Sequence, residues 1–202
     1  MTSYVIKTPS TVPILTKSEV KLHLRIEPEE TVEDTLLDAL IVAAQENAAV
    51  VTRRAMQPET WTAYYDDFPD YSSILCLPYP PLRSVTHVKY YDQNGVLTTL
   101  DSSLYQVDTK ATPGRIALVS GEVWPTTELY KINSVEVEFI AGYDTAETPS
   151  TPPLEVPKMI IQAMLLMIGH WYKHKENVSA LSLKEIPMAA ETLLWPYRDL
   201  RW

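Results

Sequence analysis

The chain has 202 residues, of which 46% are hydrophobic and 21% charged, and a net charge of −9. That is enough chain for one domain, or one domain in two parts, with a sizeable core. The acid excess argues against a sequence-independent grip on phosphate backbones and against a polybasic membrane surface, both of which need clustered Lys and Arg. Cys76 stands alone, so no intramolecular disulfide is expected, and a reducing compartment fits. The start lacks a basic stretch followed by an apolar core, and the longest apolar run, Met159 to Gly169, is interrupted by Gln162. The expectation is a soluble protein without a leader. Sixteen prolines against five glycines predict stiff loops.

Residues 1–15 read as an extended arm. Thr16-Lys-Ser-Glu19 fits a capping box and predicts a short helix through about Leu24. Glu27-Pro-Glu-Glu30 reads as a second helix start, with proline early and acids in the first turn. That helix is expected to run to about Ala55. Val32, Leu36, Leu40, Ala44, Ala48 and Val51 recur at helical spacing, and Leu37, Ile41, Val42, Ala49 and Val50 widen the stripe.

From Gln57 the pattern changes to strands. Thr60–Tyr65, Ser73–Leu77, Val85–Tyr91, Val96–Leu100, Leu104–Val107 and Arg115–Val119 all read as extended. Asp92-Gln-Asn-Gly95 is a hairpin signal. Ser134–Ile140 alternates strictly, with Val135, Val137 and Phe139 on one face and Glu136 and Glu138 on the other. The pattern predicts a small antiparallel sandwich or barrel.

A Pro/Thr linker leads into the most apolar segment, Val156–Lys175, predicted as one long helix. Pro157 suits its first turn, and Ile160, Met164, Ile168 and Trp171 share a face. A short helix over about Met188–Leu194 precedes the end of the chain. The fold class expected is α+β. Residues 1–56 and 150–202 form a helical base, its N-terminal helices packed with the long C-terminal helix, and residues 57–149 form the β-rich insertion.

Little points to catalysis. His170 and His174 have the spacing of two metal ligands, but no His-Glu-x-x-His is present, and a His-rich helix end is the plainer reading. Asp66, Asp67 and Asp70 read as a solvated turn, His87 as surface, and Cys76 as a core residue. No serine sits in a Gly-x-Ser-x-Gly elbow, and there is no glycine-rich phosphate loop. No catalytic residue, cofactor or metal is assigned, and the chain is not read as an enzyme. Two features look like interaction surface. One is the wide apolar stripes of the long helices. The other is Trp195, Tyr197, Arg198, Arg201 and Trp202, side chains of the types that anchor interfaces.

Several segments, taken in order, resemble one family. They are Leu15–Ile26, Glu33–Ile41 leading to Thr52-Arg-Arg54, Leu77–Val85 with Tyr90-Tyr-Asp92, Tyr105–Asp108 with Pro113–Ile116, Phe139–Tyr143, Ile168–Tyr172 and Leu194–Tyr197. The set resembles the head–tail connector proteins of tailed bacteriophages, also called adaptor or head-completion proteins. The likeness spans nearly the whole chain, although each segment alone is only a packing or turn signature. The β-rich stretch looks like the elaboration of a larger subgroup.

The resemblance implies a structural virion protein, assembled in the host bacterial cytoplasm and located in the neck. Such proteins form a ring, typically twelvefold, that docks under the portal and extends the DNA channel. The ring offers a face to the next neck or tail-completion component, and double-stranded DNA passes without specific binding. In related connectors the C-terminal segment grips the portal, which assigns that role to Trp195, Tyr197, Arg198, Arg201 and Trp202. A channel that lets DNA slide should be acidic or neutral, and Glu29, Glu30, Glu33 and Asp34 are the residues expected to line it. The competing reading is a β-sandwich module that binds a glycan or a protein, with Tyr64, Tyr65, Tyr79, Tyr90 and Tyr91 as stacking faces.

Overall fold

A computed structural model of the protein describes residues 2–8, 12–69, 74–145, 147–174 and 187–200. The fold is α+β, and the chain divides into two compact units. The helical unit is drawn from Thr11–Gln57 with Tyr143–Arg201, and the β unit from Met1–Ser10 with Pro58–Gly142.

In the helical unit, α1 (Lys17–Leu24) begins with the capping box expected. The Glu19 N–H donates to Thr16 Oγ1 at 3.3 Å, and the Glu19 carboxylate accepts from the Thr16 N–H at 2.8 Å. The helix stops where Arg25 turns left-handed, with φ 59°. The second helix, α2, spans Asp34–Thr52 and starts later than the Pro-Glu-Glu signal implies. The cause is Lys21, a buried lysine on α1. Its ammonium binds the carbonyls of Pro28 and Glu30 and the Asp34 carboxylate, 2.7 Å away. Those carbonyls face the ammonium, and residues 26–33 fold as consecutive turns. Val32, expected on the core stripe, is left 88% exposed.

By length and hydropathy α2 would pass for a membrane span. Its inner stripe, however, lies in the core of the unit, with Leu37, Leu40, Ile41, Ala44 and Ala48 all buried. Val42 and Val50 are exposed, so the helix is covered on one side only. The long helix α3 spans Lys158–Lys173 and starts after Pro157. Ile160, Met164, Ile168 and Trp171 are buried as the spacing predicts, together with Ala163 and Met167. Gly169 marks the close approach of α1, since a Cβ there would sit 3.4 Å from His23 Nε2. Helix α4 (Met188–Leu194) adds Ala190 and Leu194 to the same core. Each fully buried aliphatic side chain stabilises by roughly 1.5–3 kcal/mol, so this shared core is what holds α1 and α2 to α3 and α4. Residues after Gly142 belong here, not to the insertion. Tyr143 is buried in the helical core, and Asp144 N–H donates to Leu154 O at 2.8 Å.

The β unit holds β1 (Thr2–Thr8), β2 (Glu59–Tyr65), β3 (Leu75–Cys76), β4 (Leu82–Tyr91), β5 (Leu97–Thr99), β6 (Tyr105–Asp108), β7 (Arg115–Leu118) and β8 (Val135–Ala141). Among the described residues they form two sheets: β1-β2-β8-β4-β5 and β3-β7-β6. All the pairings are antiparallel. Val135, Val137 and Phe139 of the central strand β8 are fully buried. The two sheets approach where Gly114 meets Leu82, so closely that a Cβ on Gly114 would lie 2.3 Å from Leu82 Cβ. The turn at Asp92 forms as expected, its Oδ1 accepting from Asn94 N–H and Val96 N–H at 2.9 Å each. Gly95 takes φ 81°, which glycine adopts without strain.

One assignment changes. The first residues, expected as an arm of the helical part, form β1, paired with β2 from Thr2↔Tyr65 to Thr8↔Thr60. Tyr4, Val5 and Ile6 suit a strand, but the partner lies more than fifty residues downstream, which no local pattern reveals.

Candidate interaction surfaces

The C-terminal segment is docked on its own unit and partly open to solvent. Helix α4 runs into a 3-10 turn, Trp195–Tyr197. Tyr197 is half-buried, and its carbonyl accepts from Arg54 Nε at 2.6 Å. The Asp199 N–H donates to Thr52 O at 2.9 Å. Trp195 points outward, 57% exposed, with the Arg198 guanidinium 5.2 Å from its ring centre, a cation–π contact. Met188 and Leu200 are also exposed. Exposed Trp195 and half-buried Arg198 thus form one aromatic–cationic pair at the surface. Arg201 and Trp202 lie outside the described residues.

The four acids proposed for a channel wall divide in two. Glu29 and Glu30 stand exposed in the turns before α2. Glu33 accepts from the Tyr172 hydroxyl, which ties the start of α2 to α3. Asp34 is paired with Lys21 and with Lys17, and the Lys21 hydrogen bond holds its carboxyl below the usual range. Lys17 also reaches Asp38 at 2.9 Å. Asp34 is therefore charge-paired and Glu33 is tied to a neutral hydroxyl, while Glu29 and Glu30 stand free of the core.

In the β unit, Glu138 was expected on a plain polar face. It is instead nearly enclosed, with Lys7 bonded to it and His87 Nδ1 at 4.0 Å. His87 arrives there through a bulge in β4, where Val85 pairs with Phe139 but His87 pairs with Glu138. Regular alternation would have kept His87 beside Val85, and the extra residue moves it to the other face. The reading of His87 as surface is corrected accordingly. The Lys7 hydrogen bond, against the cost of burial, holds the Glu138 carboxyl below its ordinary range.

Of the tyrosines of the competing reading, Tyr65, Tyr79, Tyr90 and Tyr91 are engaged in packing. Tyr79 stacks on Trp61 with centroids 4.2 Å apart, and Tyr4 meets its edge. Tyr65 donates its hydroxyl to Cys76 O at 2.6 Å, and burial raises its pKa. Tyr90 packs edge-on against Phe68, which stacks on Trp124 at 4.9 Å. Next to that stack lies a cleft of about 670 Å³, bounded by residues 66–69 and 124–131. Cys76 is half-buried rather than a core residue.

The other chemical candidates come apart. His170 and His174 lie 4.4 Å apart, ring to ring, and His174 Nδ1 is 2.7 Å from His170 O, a helix-end contact. Among the described residues no group of three His, Cys, Asp or Glu could hold a metal. Asp66 closes a loop, accepting from Asn133 N–H at 3.1 Å, and Asp70 lies outside the described residues.

No family model matches the chain, and no curated protein matches it. Its fold does match solved structures along its whole length. One is a chain in the neck of an empty gene transfer agent (GTA) particle computed with C6 symmetry, with TM-score 0.70 and 21% identity, covering 100% of this chain and 97% of that one. A chain in the virion of a native GTA particle gives TM-score 0.70 at 20% identity, with the same coverage. A chain in the neck of the native GTA particle, computed with C12 symmetry, gives TM-score 0.67 at 20% identity, covering 98% of this chain and 97% of that one. At such identities the likeness establishes a shared fold, including both the helical part and the strands.

Proposed function

We propose that the protein is a structural component of the neck of a tailed-phage-like particle. In this reading it is a subunit of a connector, or adaptor, ring that docks under the portal, extends the DNA channel and joins the capsid to the next neck or tail-completion protein. One observation carries the reading: the fold is matched end to end, with both chains almost fully covered, by chains solved in GTA necks and virions. A shared core alone would match only part of each chain. The C6 and C12 symmetry of those reconstructions supports a ring of copies. The ordered sequence resemblance points the same way, and its role is structural rather than catalytic.

Within that reading, Trp195 and Arg198 are the portal-facing pair, with Tyr197 as the anchor that holds the segment in place. Glu29 and Glu30 supply the acidic character of the channel wall, since Glu33 and Asp34 are engaged inside the fold. The mass of the native particle, alone and mixed with a candidate portal, tests the proposal. A ring, or a monomer that assembles on the portal, is the expected result. A monomer indifferent to any portal overturns it.

A further inference from the structure

Among the described residues the five-stranded sheet has two open edges, β1 with seven residues and β5 with three. An edge strand leaves a row of backbone N–H and C=O groups unpaired on its outer side, a template for another strand. Edges are commonly blunted by charge or proline. Here the one charge in β1, Lys7, is drawn across β2 onto Glu138 of β8 and does not guard the edge. Tyr4, Val5 and Ile6 are 41%, 57% and 42% exposed. The opposite edge, β5, carries no charge, and Leu97 with its neighbour Val96 is exposed.

Strand direction and the presence of two unlike edges on one sheet point to a second copy as the occupant. Each neighbouring pair in this sheet is antiparallel, and the strand order β1-β2-β8-β4-β5 makes β1 and β5 run in the same direction. A cyclic ring of identical chains is built from one patch meeting a different patch on the next copy. Two unlike edges at opposite ends of one sheet are such a pair.

We propose that β1 of one copy adds in parallel to β5 of the next, so that the sheet continues from subunit to subunit. The proposal rests on the ring reading above. Adjacent strands lie ~4.8 Å apart, within the Cα separation of about 4.4–6.8 Å that a disulfide accepts. The full-length protein carrying Val5→Cys would be combined in turn with Leu97→Cys, Thr98→Cys and Thr99→Cys, assembled and mildly oxidised. At least one pairing should give a ladder of covalent oligomers on a denaturing gel, while the single variants, which retain Cys76, should not. Independently, Val5→Lys with Leu97→Lys should abolish the ring mass and leave a monomer that circular dichroism shows to be folded. A ring that persists in native mass, with no ladder from any pairing and no effect of the lysines, overturns the strand-edge contact while the ring reading stands. A cross-link from Val5→Cys to a different neck protein overturns it as well. A monomer under every condition, portal included, overturns both.

Discussion

Arg54 holds Tyr197 from the far side of the sequence: its Nε donates to the Tyr197 carbonyl at 2.6 Å, and its Nη1 reaches the Tyr143 hydroxyl at 3.2 Å. One guanidinium at the end of α2 therefore fixes the start of the returning chain and the C-terminal turn. A hydrogen bond from a charged donor typically contributes about 1.5–3 kcal/mol. Arg54→Ala should lower stability by about 2 kcal/mol, and hydrogen exchange should show the amides of residues 195–199 opening first. Uniform exchange across the helical unit would mean that the segment is held mainly by Leu194.

The same contacts refine how portal binding should be tested. A truncation after Leu194 would remove an interaction surface and two internal ties at once. Trp195→Ala with Arg198→Ala removes only this surface pair, because neither side chain is in the core. The expected outcome is an unchanged melting temperature and a loss of portal binding of tenfold or more, about 1.4 kcal/mol. Normal binding by the double variant would reassign the portal contact to another surface.

Which features could be read from the sequence follows from the range over which each is determined. The Thr16 capping box, the Asn-Gly hairpin and the alternation of β8 are decided within a few residues, and each lies where the pattern places it. The late start of α2 is decided by Lys21 reaching Glu30 and Asp34, an interaction that helix propensity does not see. The edge strand β1 and the His87–Glu138 proximity depend on long-range pairing and on a bulge, so neither has a local signal. The residues proposed for the interface are the least legible. Trp195 outside and Tyr197 half inside come from the same short aromatic run, and only the packing of α4 separates them.

Gly114 offers a direct test of how tightly the two sheets meet. A Cβ there would lie 2.3 Å from Cβ and 2.5 Å from Cδ2 of Leu82, a buried side chain with little room to move. Gly114→Ala should destabilise the protein by about 1–3 kcal/mol, the usual cost of overpacking. The lost hydrogen bond from Leu77 N–H to Gly114 O would add to this if the strand shifts. A thermal melt decides the matter, and an unchanged midpoint would mean that Leu82 relaxes freely.

The Glu138 carboxyl gives the β unit an acid limb. Its folded pKa lies below the ordinary glutamate value, chiefly through the hydrogen bond from Lys7. A depressed carboxyl contributes stability that is present above its unfolded pKa and lost as pH falls through the folded one. Glu138→Gln should therefore lower the melting temperature at neutral pH. The difference from wild type should shrink below about pH 4.5 as the wild-type carboxyl protonates. A gap that stays constant down to acid pH would show that the effect is one of shape rather than charge. Lys7→Met should reproduce the same narrowing, because it removes the cation that depresses the carboxyl.

The charge of the proposed channel wall can be inverted at its exposed acids. Glu33 is engaged by Tyr172, and Asp34 by Lys17 and Lys21, so changing either would disturb the fold as well as the field. Glu29 and Glu30 are exposed, and Glu30 makes one local bond, accepting from Val32 N–H at 2.9 Å. Glu29→Lys with Glu30→Lys changes each subunit by four charges, and a ring repeats that change with every copy. A wall of ammonium groups gathers phosphate and releases counterions, which makes binding steeply dependent on salt. The wild-type ring should ignore duplex DNA at low salt. The variant ring should retain it and release it as salt is raised. A variant ring as indifferent to DNA as the wild type would place these turns away from the bore and leave the source of its acidity to be sought elsewhere on the subunit.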